Sequence, residues 1–149
     1  MINAIWSLLA VVAGAFIAIQ APINADLSKG LGSPVAAAAF SFLSGTILLG
    51  LIAFGLARAQ GTPLNWQGPA LWLFVTGGAL GAVYVTSVTV LTPRLGAAAV
   101  MAFVVTGQLV AGVLLDRIGF LGMAVREISL GRVAGAVLLI AGALMIRLF

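Results

Sequence analysis

Long runs without a single charge constrain this chain more than any other feature. Residues 1–25, 30–57, 59–93 and 95–115 carry no Asp, Glu, Lys or Arg. Crossing the ~30 Å hydrocarbon core of a bilayer takes about 20 apolar residues of helix, and each of the four runs reaches that length. A soluble domain is about 25 % charged, whereas 7 % of these 149 residues are charged and 63 % are hydrophobic. In lipid a helix satisfies its own backbone and an open strand does not. The expected fold class is therefore an all-α integral membrane protein.

Composition removes several kinds of chemistry. There is no histidine and no cysteine, and the only acids are Asp26, Asp116 and Glu127. Zinc ligation by Cys or His, thiolate catalysis and a Ser-His-Asp triad have no material here. No metal and no cofactor is expected, and an enzyme is the least favoured class. The net charge of +4 would suggest nucleic acid in a soluble domain. Here the basic residues stand singly near helix ends, where Lys and Arg meet lipid headgroups, so the expected partner is the bilayer and not nucleic acid. The opening Met-Ile-Asn-Ala-Ile-Trp lacks the basic region of a secretory signal, which makes the first run a retained span.

The whole chain, 1–149, reads as one transmembrane domain with spans near 2–23, 34–56, 69–91, 97–115 and 130–148. Pro22 is placed to kink or end the first span. Ser33-Pro34 makes a cap and first-turn pair for the second. Thr92-Pro93-Arg94-Leu95-Gly96 reads as a tight turn that folds spans three and four into an antiparallel hairpin. The fifth stretch has two readings. Residues 133–146 between Arg132 and Arg147 cover only about 21 Å of helix, which suits a buried or re-entrant segment. Counting 128–149, with the two arginines snorkelling to opposite interfaces, restores a full span.

Polar side chains inside a bilayer face a cavity or another helix. Ser and Thr can bond to their own helix backbone, which is the plain reading for Ser41, Ser44, Thr76, Thr86, Ser87, Thr89 and Thr106. Gln20, Asn24 and Gln108 cannot hide so easily. They are candidates either for interhelical bonding or for solute contact. In span three, Gly77, Gly81, Tyr84 and Val88 share one face and Gly78 adds another small residue. That pattern suits close helix packing or a bending point with Tyr84 on a cavity. No ionisable residue lies mid-span, so nothing obvious serves ion coupling.

The ordered series Gln20-x-Pro22-x-Asn24-Ala25-x-Leu27, Gly32-Ser33-Pro34 and Phe42-Leu43-x-Gly45 continues through Gly77-Gly78-Ala79-Leu80-Gly81-Ala82-x-Tyr84-Val85 and Pro93-Arg94-Leu95-Gly96. It ends in Gly107-Gln108-Leu109, Asp116-x-x-Gly119 and Arg132-x-x-Gly135. The series resembles the YdcZ-like small proteins of the drug/metabolite transporter superfamily. The resemblance implies half of a ten-helix inverted-repeat transporter. Such a half rebuilds the solute site between repeats by pairing with a second five-helix chain. It implies an inner-membrane carrier for a small solute, working by alternating access as an antiparallel homodimer or with a paralogue. It also implies solute contact at Tyr84 and bending at Gly77, Gly78 and Gly81; Gln20, Asn24 and Gln108 stay candidate contacts on their polarity alone. The related small multidrug resistance proteins carry a glutamate in span one. Its place here is Phe16 or Ile17, so proton antiport and cation specificity do not carry over. A passive dual-topology channel and a non-transporting subunit that needs a paralogous partner remain alternatives.

Five spans put the termini on opposite sides. Arg58, Arg117, Arg126 and Arg132 then face Lys29, Arg94 and Arg147, a near balance of Lys and Arg that leaves two readings: one weakly set orientation with the N-terminus inside, or insertion both ways with head-to-tail pairing. A C-terminal reporter is expected on both sides of the membrane in one population, and two lysines added after Phe149 should drive that end to the cytoplasm. A wild-type chain found in one orientation alone would exclude the antiparallel homodimer.

Overall fold

The computed structural model describes residues 2–149, with side chains from Ala4 onward; Met1, which opens the N-terminal segment read above, lies outside them. The described residues form five α-helices and one 3-10 turn: α1 (Ile2–Leu31), α2 (Pro34–Gln60), α3 (Leu71–Leu95), α4 (Ala97–Ile118), the turn Phe120–Gly122, and α5 (Leu130–Leu148). All five helices are long and apolar enough to cross a bilayer. The stretch with two readings is a helix of 19 residues, about 28 Å long. The chain is a five-helix membrane protein.

The helix ends follow local chemistry more than hydropathy. Ser33 caps α2, its Oγ accepting from the Ala36 N–H at 3.2 Å, with Pro34 as the first helical residue. Gly61, with φ of 65°, closes α2 in the left-handed conformation open to glycine. Ser129 caps α5 by accepting from the Arg132 N–H at 3.3 Å.

Two expectations from sequence need correction. Pro22 does not end α1, which continues for nine residues to Leu31. The polar segment Asp26–Lys29 is its last part, carrying an exposed i,i+3 ion pair at 3.7 Å. Nor do residues 92–96 form a turn, since α3 runs through Pro93 to Leu95 and the break is Gly96 alone. Internal proline is tolerated in membrane helices because little water competes for the backbone and nearby groups re-satisfy it. Beside Pro93, Thr92 donates its hydroxyl to the Val88 carbonyl of its own helix at 2.7 Å. Arg132, expected at an interface, has a protein partner as well. It turns to α4 and donates from Nη2 to Asp116 Oδ2 at 2.9 Å.

Contacts divide the chain into two compact units, 1–93 and 94–149. In the first, α1 packs on α2 and the buried positions are mostly small: Ala21 and Ala25 on α1, Ala37 and Ala38 on α2. Small residues let helix backbones approach, and in lipid that close approach supplies much of the association. The buried side of α3, Val85, Val88, Thr89 and Thr92, repeats at helical spacing. In the second unit α5 packs on α4, and the Arg126 N–H donates to the Asp116 carbonyl at 2.9 Å, tying the connecting segment to the end of α4. Large apolar side chains point outward, as at Phe16, Leu51, Leu80 and Leu138. In a bilayer that surface meets acyl chains.

Gly96 sits at φ 83° and ψ 150°, a region populated almost only by glycine and costing roughly 1–3 kcal/mol for other residues. A Cβ there would meet nothing within 4 Å, so the cost of Gly96→Ala is purely conformational. The variant is expected to lose about that much stability, read as a lower melting temperature in detergent. An unchanged melting temperature would show that the chain relaxes at this break.

Candidate functional site

One stripe of α1, formed by Ile17, Gln20, Ala21 and Asn24, faces Tyr84, Val85, Val88 and Thr89 of α3 across a cavity of about 10 Å³. That is room for roughly one water molecule. The helical repeat makes each stripe. Positions 17, 20, 21 and 24 lie on one face of α1, and 84, 85, 88 and 89 on one face of α3. Asn24 and Thr89 are buried. α2 orients the two amides through one hydroxyl. Gln20 Nε2 donates to Ser41 Oγ at 3.1 Å, and Asn24 Nδ2 approaches the same oxygen at 3.5 Å, the second at the weak limit for such a bond.

The hydroxyls separate this cluster from the rest of the helices. Ser44, Thr76, Ser87, Thr92 and Thr106 each donate to a carbonyl of their own helix, as membrane Ser and Thr commonly do. The hydroxyls of Tyr84 and Thr89 are buried and have no protein partner. A buried polar group without a partner costs about 1–3 kcal/mol. Both groups line the same cavity as the Gln20 and Asn24 side chains. The site therefore offers neutral donors and acceptors beside one aromatic ring, and no charge.

Gln20 also borders a second hollow, about 250 Å³, between α1 and α2, with Ser41, Phe42, Gly45, Thr46 and Leu49. The two spaces share that one amide.

Of the residues singled out from sequence, the structure brings Gln20, Asn24 and Tyr84 together. Gln108 belongs to the second unit, on α4, lining a groove with Asp116, Arg132 and Gly135. Gly81 lies against α2, where an added Cβ would come within 3.0 Å of the Phe42 ring, while Gly77 and Gly78 face open space. Sequence reasoning passed over Thr89 and Ser41, which it read as self-satisfied hydroxyls. Thr89 shares the 85-88-92 spacing of the buried face, and that was the available signal. The pairing of Asp116 with Arg132 also went unread.

Residues 5–145 match the family model DMT_YdcZ, described as "Putative inner membrane exporter, YdcZ". The chain belongs to this family. Neither a curated protein nor a solved structure matches this YdcZ-family chain. Membership and five spanning helices together make it a multi-pass inner-membrane protein, and its functional class is that of a membrane transporter.

The unpartnered Thr89 hydroxyl makes a sharp forecast for the YdcZ-family chain without solute. Thr89→Val keeps the shape and removes the orphaned group, so the purified protein should melt at the same temperature or higher, by up to about 1 kcal/mol of added stability. A clear fall in melting temperature would mean that the hydroxyl is bonded in the folded protein, for example to an ordered water.

Proposed function

We propose that this chain carries a small solute out of the cell by alternating access, as a dimer of antiparallel copies within the drug/metabolite transporter superfamily. The observation that carries the reading is the α1–α3 cluster, where two amides and two unpartnered hydroxyls converge on one cavity. Buried polar groups that fail to satisfy one another are costly, and a carrier recovers that cost when solute or water arrives. The cavity is far below the roughly 300–1,000 Å³ of ordinary small-molecule sites. Solute entry therefore requires helix movement, and the 250 Å³ hollow on the other side of Gln20 is the adjoining space.

The remaining assignments follow from this reading. Tyr84, Gln20 and Asn24 contact the solute, with Thr89 added by the geometry. Gln108 belongs to a second polar surface on α4. Gly77 and Gly78 lie where α3 is least crowded, so they are the bending point, and Gly81 lets the Phe42 ring lie close. An antiparallel copy completes ten helices as two inverted halves, consistent with the near-even Lys and Arg count; a paralogue could fill the same place.

A melting-temperature screen in detergent against amines, anions, sugars and amino acids identifies the solute, because a ligand stabilises the state it binds. With that solute, Tyr84→Ala should weaken binding by roughly 1–2 kcal/mol if the contact is desolvated. Gly78→Leu should slow liposome flux while leaving equilibrium affinity nearly intact. If Tyr84→Ala lowers only the melting temperature, with affinity and flux unchanged, Tyr84 is packing and the assignment fails.

A further inference from the structure

The second unit holds a groove that the transport reading does not use. It is about 340 Å³ and runs between α4 and α5, lined by Gln108, Leu109, Gly112, Val113, Asp116, Arg132 and Gly135. The α4 residues 108, 109, 112, 113 and 116 form one helical stripe about 12 Å long. Its floor is open because Gly112 and Gly135 lack side chains, and a Cβ added at either would meet nothing within 4 Å. Charge is confined to one end, where Arg132 Nη2 donates to Asp116 Oδ2 at 2.9 Å.

The guanidinium is only half used. Arg132 Nη1 is buried and has no protein acceptor. A buried donor on a charged group is among the most expensive groups to leave unpaired, and an ionised acceptor satisfies it best. The formal charge at this end also favours an anion. Arg117, Arg126 and Arg132 stand against Asp116 and Glu127, so three positive and two negative charges leave one positive. From the charged end the groove continues past Leu109, Val113 and the two glycines as an apolar trough, and its volume lies within the range of ordinary small-molecule sites.

We propose that this groove binds an anion with an apolar body, its carboxylate or phosphate oxygen accepting from the Arg132 guanidinium and its hydrocarbon lying along Leu109, Gly112, Val113 and Gly135 towards Gln108. Arg132 holds the head, Asp116 fixes the guanidinium plane through Nη2, and the glycines make room for the tail. The source of such an anion is either the bilayer's own acidic phospholipid or a free organic acid. This inference concerns binding alone and does not rest on the transport reading.

The full-length protein in an uncharged detergent provides the test. Octanoate and phosphatidylglycerol are the anionic probes, and octanol and phosphatidylcholine are their uncharged and zwitterionic counterparts. Binding is read by native mass spectrometry and by melting temperature. An anionic probe should bind about tenfold or more tightly than its counterpart. Arg132→Gln should abolish that preference, and Arg117→Gln should keep it. Gly135→Leu fills the trough without touching the ion pair. It should block binding even if Arg132→Gln proves too unstable to purify. Binding of phosphatidylglycerol alone assigns the site to lipid, binding of octanoate alone assigns it to a free acid, and binding of both shows a site open to either source. Equal binding of anionic and counterpart probes, or preference retained in both Arg132→Gln and Gly135→Leu, overturns the proposal.

Discussion

The hydrocarbon core of a bilayer offers no water to a hydrogen-bonding group, and most of this structure answers that constraint. The backbone answers it with helices, the only arrangement a single segment has for satisfying itself in lipid. The side chains answer it locally: Thr76 donates to the Trp72 carbonyl, Ser87 to Val83 and Thr106 to Ala102. Helix ends answer it with Ser33 and Ser129. Against so consistent a pattern, three buried exceptions stand out among the described residues: the Tyr84 hydroxyl, the Thr89 hydroxyl and one nitrogen of Arg132. Groups left unpaired where pairing is most needed are the natural places to look for function.

The same solvent inverts the usual logic of packing. Burying a leucine gains little in lipid, because acyl chains are as apolar as the leucine itself. The interior of the α1–α2 pair is accordingly built from alanines, while phenylalanines and leucines cover the outside. Close approach, and not hydrophobic area, brings these helices together. That approach also aligns Ser41 with Gln20 and Asn24, so the packing of α1 on α2 sets the orientation of both amides at the cavity.

Hydropathy made the number of helices legible, because charge-free runs of this length have few other uses. It did not make their ends legible. The Asp26–Lys29 segment is polar yet helical, since a helix can leave the bilayer and continue in water or headgroups. Pro93 looked like a turn residue because proline breaks helices in water, where the freed backbone has other partners. The site was partly legible. Gln20 and Asn24 stand four apart, and a face shared by two amides is visible in sequence. Thr89 looked no different from Thr76 or Thr106, because whether a hydroxyl bonds to its own helix depends on what packs against that face. The Asp116–Arg132 pair joins residues sixteen apart on different helices. Charge at a helix end suggests headgroups before it suggests a neighbour.

The two prolines inside helices have a joint consequence. A proline has no N–H to give the carbonyl four residues before it. Pro22 therefore leaves the carbonyl of Ala18 without its regular donor, and Pro93 does the same to Thr89. Ala18 adjoins Ile17 at the α1 side of the small cavity, and Thr89 lines the α3 side. Each of the two helices that face one another there is missing one rung of its hydrogen-bond ladder. The missing rungs lower bending stiffness in both helices that wall a space of about one water.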